Sequence, residues 1–318
     1  MRYADLACGA GGLGLGLKRA GLSCGGAWDI DEAAVETYSA NVSRNAEVAD
    51  IRDLSLERDD LDILASGLPC ESFSTLGRMD PRDPRGRLWV HFARLLAEAM
   101  PTSFVIENVL PFFRSRRFAL LLGRAEALGY STAWFVLDAR TFGVAQARQR
   151  GFAIGSLNGL AEFNDWRPAR IASVRDAIGD LPLVPDGRND HVGYAHRPES
   201  VERYARIPPG GDWRDLPRDM MNPCWRRVNH GARSVLGRLR WDEPADTIRT
   251  TFLKPETGRH LHPEANRGLT LREGARLQGF DDEFRFRHGG LEARARLIGR
   301  AIPPPMAEAV GKVLREMG

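Results

Sequence analysis

Lysine is nearly missing from this chain. Only Lys18, Lys254 and Lys312 occur among 318 residues, against 42 arginines. Acidic residues offset most of that charge, and the net is +3. The arginine bias fits a GC-rich coding sequence. It also fits contact with phosphate and guanine, which the planar guanidinium fork suits. Cysteine is scarce too: Cys8, Cys24, Cys70 and Cys224 show no CxxC or other metal-ligand spacing. A disulfide scaffold and a cysteine-built zinc site are thereby excluded, and the thiols are expected to be reduced. No apolar run has the length of a membrane span, and the first residues do not form a signal peptide. A cytoplasmic protein is expected, or a nuclear one in a eukaryote. Hydrophobic residues make up 43% of the chain. That suffices for one large globular domain or two unequal ones.

What is present is organised around Gly67-Leu68-Pro69-Cys70-Glu71-Ser72-Phe73-Ser74. The apolar run Asp62-Ile63-Leu64-Ala65-Ser66 before it reads as a short buried strand, ended by Gly67 and Pro69. Cys70 is thus placed at the carboxyl end of a strand, the edge where open parallel sheets bind ligands. A thiol there serves as a nucleophile if a positive neighbour favours the thiolate. It serves equally as a buried structural cysteine, and the octapeptide alone does not choose.

The flanking segments predict an alternation of strands and helices. Tyr3 to Ala7 is a strand, turning at Cys8-Gly9-Ala10-Gly11-Gly12 into a helix over about 13–19. Glycines after a first strand let backbone approach a ligand, and the helix N-terminus favours a negative group. A second strand from Ser23 to Trp28 ends in Asp29-Ile30-Asp31, where dinucleotide folds hold a ribose; Asp31 also suits a helix cap. Phe104-Val105-Ile106-Glu107-Asn108-Val109 is a further strand. Gly143-Val144-Ala145-Gln146-Ala147-Arg148-Gln149-Arg150 carries arginines at alternate positions. Helices are expected over about 88–100, 118–128 and 306–316. After about Asn158 regular periodicity fades, and Trp, Pro, Gly and Arg increase. Arginines crowd at 226, 227, 233, 238 and 240, and again at 114, 116 and 117. His260 and His262 alternate as on a strand, without an apparent third metal ligand, and structural roles are expected for both.

The order of glycine-rich turn, Pro-Cys, Glu-Asn-Val and Gln-x-Arg-x-Arg resembles the DNA (cytosine-5) methyltransferases, from Asp5 nearly to Ile302-Pro303-Pro304. Trp241–Thr250 and Arg267–Phe280 resemble late family motifs. The resemblance implies an α/β fold: a Rossmann-like class I methyltransferase sheet with a smaller, irregular target-recognition domain. The expected division is 1–159 catalytic, 160–299 target recognition, and 300–318 returning to the catalytic domain. It implies Cys70, Glu107, Arg148 and Arg150 as catalytic. S-adenosylmethionine would be held by Asp5, Ala7, Gly9, Gly11, Gly12, Asp29, Ile30, Asp50, Ile51, Pro69, Arg300 and Ile302. Double-stranded DNA would meet Ser74, Arg78, Gln146, Arg226, Arg227 and Arg233, with the 75–87 loop closing around a flipped base. No metal or membrane is implied, and a monomer is expected. No extra regulatory domain fits before Asp5. A catalytically silent DNA-binding relative and a tRNA-modifying relative remain as alternatives.

Three residues depart from the family pattern. Ala7 stands where phenylalanine is usual, Glu71 where glutamine follows the cysteine, and Arg300 where the last motif has asparagine. Glu71 and Arg300 could pair with each other. Arginine at 300 could instead bind a carboxylate by two parallel hydrogen bonds. That raises carboxy-S-adenosylmethionine as an alternative donor, giving 5-carboxymethylcytosine.

Overall fold

The structure, a computed structural model, describes residues 1–57, 60–69, 87–161, 170–223, 225, 234–287 and 289–318. It divides into two compact units. One comprises Met1–Phe142, Gln149–Pro168 and Ala301–Gly318, and the other Gly143–Arg148 and Ala169–Arg300.

The first unit is built on a sheet of seven strands. These are β1 (Arg2–Leu6), β2 (Ser23–Asp29), β3 (Ala46–Val48), β4 (Ile63–Gly67), β5 (Ser103–Asn108), β6 (Ser131–Asp138) and β7 (Gln149–Ser156). Their spatial order is β3-β2-β1-β4-β5-β7-β6. β1 to β5 pair in parallel, while β7 runs antiparallel to both β5 and β6. β4 and β5 are almost wholly buried. That is why Ile63-Leu64-Ala65 and Phe104-Val105-Ile106 read as continuous apolar runs rather than alternating ones.

Helices connect the strands: α1 (Gly12–Arg19), α2 (Glu32–Asn41), α3 (Leu88–Ala99), α4 (Leu110–Phe113) and α5 (Arg116–Ala127). Asp31 caps α2 by accepting from the Ala33 N–H, and Ser115 caps α5 by accepting from Phe118. The Ser115 cap sets the start of α5 two residues before the expected Phe118. Behind the sheet, Phe92, Phe104, Phe112, Phe113 and Phe118 form a buried aromatic cluster with edge-on contacts. Such pairs stabilise by about 0.5–1.5 kcal/mol beyond their burial. The last helix of the chain, α10 (Pro304–Glu316), belongs to this unit and packs on α1 through small residues. A Cβ on Gly16 would come within 2.4 Å of Ala307, and one on Gly311 within 2.8 Å of Ala20.

The second unit has little regular structure. Its α-helices are α6 (Val174–Ile178), α7 (Pro198–Ala205), α8 (Leu271–Leu277) and α9 (Leu291–Arg300). Carbonyls left free by its loops are met by buried arginines. Arg238, 3% exposed, donates to the carbonyls of Tyr204, Ile207, His262 and Ala265 and to the Asn266 side chain. Arg272 likewise serves Asn189, Asp281 and Phe284. Buried backbone acceptors need donors, and arginine supplies five. Gly143–Arg148 belong to this unit because Gln146 and Arg148 are bonded into it. The expected boundary near 160 therefore misses a six-residue excursion.

Candidate active site

In the sheet the chain runs outward from β1 to β3 and then returns to β4, beside β1. The carboxyl ends of β1 and β4 therefore form a topological switch point, where ligands bind in open α/β sheets. Leu6 pairs with Ser66, and Gly67 pairs with Glu107. The glycine-rich turn, the segment leading to Cys70 and the Glu-Asn pair thus leave one edge of the sheet. The Ser66 hydroxyl donates to the Leu6 carbonyl at 2.7 Å. The Asn108 side-chain amide donates to the Leu68 carbonyl at 3.1 Å and fixes the chain two residues before Cys70. Asn108 was not singled out from the sequence. Its signal was its place beside Glu107 at the end of a wholly buried strand. Cys70 and Glu71 themselves lie outside the described residues.

Glu107 is 8% exposed, and its Oε1 sits 3.1 Å from Arg150 Nε. Its Oε2 lies 3.9 Å from where a Gly67 Cβ would be, an ordinary van der Waals distance, so Glu107 borders Gly67. Arg150 thus joins Glu107 at the end of β5. Arg148 is placed otherwise. It is 2% exposed, and its guanidinium donates to the carbonyls of Ile248 (3.2 Å) and Gly299 (3.0 Å) in the second unit. The resemblance implied a catalytic role for it together with Arg150, but β7, which carries Arg150, starts only at Gln149. Gln146, expected at DNA, is fully buried. Its amide bonds the Leu277 carbonyl, the Gln278 side chain and the Ile248 N–H. These bonds tie it into the frame of the second unit.

Of the residues expected at a donor, Ala7, Gly9, Gly11 and Gly12 follow β1, Asp29 ends β2 with Ile30 next to it, Asp50 and Ile51 follow β3, and Pro69 follows β4. Asp29 accepts the Gly9 N–H on Oδ2 at 2.8 Å and the Asp31 N–H on Oδ1 at 2.9 Å, so it braces the glycine-rich turn. Ala7 takes φ 53°, a conformation costly for a residue with a Cβ, and Gly11 takes φ 95°. A Cβ on Gly12 would lie 2.2 Å from the Ile302 carbonyl, and the Ile302 side chain reaches 3.5 Å from a Cβ on Gly67. Ile302 thereby bridges two of the glycines. Ile30 is 68% exposed while Ile51 is buried. An apolar side chain left in water beside Asp29 suits a flat aromatic ligand. Asp50 is held by Arg52 through paired hydrogen bonds, which keep its carboxyl below the usual range. Pro69 ends the described part of the β4 segment, and Arg300 is the exposed last residue of α9.

Asp5 is buried completely on β1, and neither carboxyl oxygen has a full hydrogen bond. Burial pushes its pKa up to about 8; the Asp29 charge adds to this, while the Tyr38 hydroxyl and Gly14 amide ease it. In the unfolded chain Asp5 gives up its proton near pH 4, about its ordinary value. Between those limits the folded state holds one more proton, so stability falls as pH rises. The slope approaches about 1.4 kcal/mol per pH unit. Asp5→Asn is expected to gain on the wild type by that slope between about pH 5 and 8. Urea unfolding at four pH values checks it, and a pH-independent difference would show that Asp5 is not held protonated.

Ser74, Arg78, Arg226, Arg227 and Arg233 lie outside the described residues. Of the arginine cluster that contained the last three, Arg238 is internal, as above, and Arg240 pairs with Glu243 at 2.7 Å. His262 accepts the Glu264 and Ala265 N–H groups on Nδ1, and burial lowers its pKa to about 4. Among the described residues no cluster of three metal-ligating side chains occurs. No described helix is long and apolar enough to cross a membrane.

Residues 1–316 match the family model described as C-5 cytosine-specific DNA methylase. The chain is 34% identical over 323 residues to the type II methyltransferase M.Sau96I of Staphylococcus aureus, covering 96% of this chain and 74% of that protein. It is also 34% identical over 323 residues to M.Eco47II of Escherichia coli, covering 97% and 77%. Among solved structures, a candidate DNA modification methyltransferase encoded within an E. coli prophage superposes with a TM-score of 0.77 at 25% identity, covering 100% and 99%. The Dnmt2 methyltransferase of S. pombe shares the fold, with a TM-score of 0.66 at 20% identity over 100% and 99%.

Proposed function

Because the chain belongs to the C-5 cytosine-specific DNA methylase family, we propose that it transfers a methyl group to C5 of a cytosine flipped out of duplex DNA, with Cys70 as the nucleophile. The observation that carries this reading is the convergence of the glycine-rich turn, the Pro69 segment and Glu107 on one sheet edge. Cytosine C5 is too weak a nucleophile to take an alkyl group unaided. A Cys70 thiolate adding to C6 places electron density on C5. Glu107 hydrogen-bonds or protonates N3, so the ring accepts the added electrons. Arg150, paired with Glu107, keeps that carboxyl in place and adds positive charge beside the thiolate. Once C5 carries the transferred group, its proton passes to water, the C6–S bond breaks with its electrons returning to the Cys70 sulfur, and the ring is restored. Extruding the base costs roughly a few kcal/mol.

The residues at the strand ends fit S-adenosylmethionine: an open glycine turn, an acid at the end of β2, and exposed Ile30 for a flat ring. When bound, it supplies a methyl group on a sulfonium. A second reading has its own observation. Arg300 stands two residues before Ile302, which packs on Gly12 of the turn, and an uncharged methyl gives arginine nothing to bind. Carboxy-S-adenosylmethionine would give it a carboxylate. Glu71, four residues after Gly67, could occupy Arg300 instead.

One experiment addresses both readings. Duplex DNA is incubated with both donors in competition, and the nucleosides are weighed. The carboxylated donor is expected to contribute 5-carboxymethylcytosine, and Arg300→Asn to shift product toward 5-methylcytosine by about tenfold, the worth of one charge-assisted hydrogen bond. Methylcytosine alone, unaltered in Arg300→Asn, removes the second reading. No modified cytosine with either donor removes both, while modified tRNA in place of DNA would move the substrate.

A further inference from the structure

Arg249 and Arg259 line a cavity of about 240 Å³ in the second unit, together with Ser234, Thr247, Asp246 and His260. That space is several times the roughly 30 Å³ a water molecule takes in the liquid. Neither arginine has a role from the sequence pattern, in which Trp241–Thr250 only resembles a late family motif.

The two guanidiniums are held differently. Arg259 is anchored, with Nη1 donating to the carbonyls of Gly210, Gly211 and Arg238 at 2.8–2.9 Å. Its Nε faces the Asp246 carboxylate at 3.6 Å, and its Nη2 lies 3.9 Å from Asp212. Arg249 makes one bond, from Nη1 to the Thr257 carbonyl at 2.7 Å. Among the described residues its other nitrogens have no partner. The Arg249 backbone is fixed as well, since a Cβ on Gly299 would come within 2.5 Å of its carbonyl. Thr247 donates its hydroxyl to the Ala147 carbonyl.

His260 supplies the second observation. It is 1% exposed, and neither ring nitrogen has a hydrogen bond of full geometry, the Arg259 backbone offering only a weak contact. Burial, and next the Arg249 charge, press its pKa down to about 3, so the ring stays neutral. A buried polar ring without full hydrogen bonds is costly unless something in the cavity meets it. With His260 neutral, the residues that line the cavity include two cations and one acid, Asp246, which is 54% exposed. Asp212, 3.9 Å from Arg259, is itself paired with Arg214, so the lining favours an anion such as a backbone phosphodiester.

We propose that this cavity is a DNA-backbone phosphate site, in which Arg249 donates to one phosphodiester and Arg259, Ser234 and His260 line its seat. The inference rests on the reading that the chain acts on duplex DNA. Asp246 then works against binding, and its removal should help.

The test is duplex binding by fluorescence anisotropy across a salt series, using the full chain without donor. Arg249→Gln is expected to weaken binding and to lower the slope of log K against log salt by about 0.9, the value for one lost phosphate contact on B-DNA. A merely structural arginine would not move that slope. Asp246→Asn is expected to tighten binding severalfold. A folded Arg249→Gln protein with the wild-type slope overturns the proposal. So does weaker binding by Asp246→Asn, which decides the matter if Arg249→Gln fails to fold. If millimolar inorganic phosphate raises the wild-type melting temperature while the duplex slope ignores Arg249, the site takes free phosphate and the proposal falls. Absence of duplex binding by the wild type sinks the DNA reading itself.

Discussion

Cys70→Ser is expected to lose transfer by about a thousandfold or more, the scale seen when a covalent nucleophile is removed, while keeping duplex affinity within a few fold. In the proposed mechanism the attacking species is a thiolate. A thiol near its ordinary pKa of about 8.5 is partly ionised at neutral pH, and a nearby cation increases the fraction. A serine hydroxyl is far less acidic, and Arg150 does not supply the base it would need. The sheet gives the approach to this residue a fixed start. Gly67 pairs with Glu107 in register, and Asn108 grips the Leu68 carbonyl. Duplex DNA carrying 5-fluorocytosine reports the step directly, because fluorine at C5 cannot leave as a proton does and the adduct persists. Wild type should form a denaturant-stable adduct and Cys70→Ser none. An adduct formed by the serine protein, or turnover at the wild-type rate, would assign the nucleophile elsewhere. Adduct formation also separates an active enzyme from a silent DNA-binding relative, since binding alone needs no thiol.

Much of this edge was legible because it is written in local rules. Glycines at 9, 11 and 12 announce a turn, apolar runs at 63–65 and 104–106 announce buried strands, and a parallel sheet places their ends together. Periodicity also gave Asp31 as a cap and α10 as the closing helix. Long-range polar bonding was not legible. Gln146 and Arg148 sit in a polar, arginine-bearing stretch that reads as solvent-facing, yet both are buried by carbonyls 100 or more residues away in the chain. Arg238 looked like one more surface arginine, and instead it satisfies four loop carbonyls. Which arginine is internal depends on where an irregular domain leaves acceptors unpaired, and no repeat of 2 or 3.6 encodes that. Arg249 and Arg259 were passed over for the same reason, since the cavity that joins them brings together residues from four separate stretches of chain. Asp5 shows the limit differently. Its place in the turn motif was plain, but its protonation follows from complete burial, which only packing establishes.

Glu107→Gln is expected to slow transfer by about 10²–10⁴, the usual worth of a positioned proton donor, with donor affinity nearly unchanged. The carboxyl lies at the end of β5, opposite Gly67 and 3.1 Å from Arg150, whereas the glycine-rich turn proposed for the donor follows β1. Glutamine keeps the size and can still donate a hydrogen bond to N3, but it cannot deliver a proton. It also leaves Arg150 without its carboxylate, so part of the loss is the cost of an uncompensated, 17%-exposed guanidinium. Arg150→Gln measured alone and together with Glu107→Gln apportions the two contributions. If the pair acts as a unit, the double replacement should lose little more than the worse single one. Calorimetric titration with S-adenosylhomocysteine gives donor-site affinity independently of chemistry. A collapse of that affinity with transfer intact would put Glu107 at the donor, and strict additivity of the two replacements would show that the ion pair does not act as one catalytic unit.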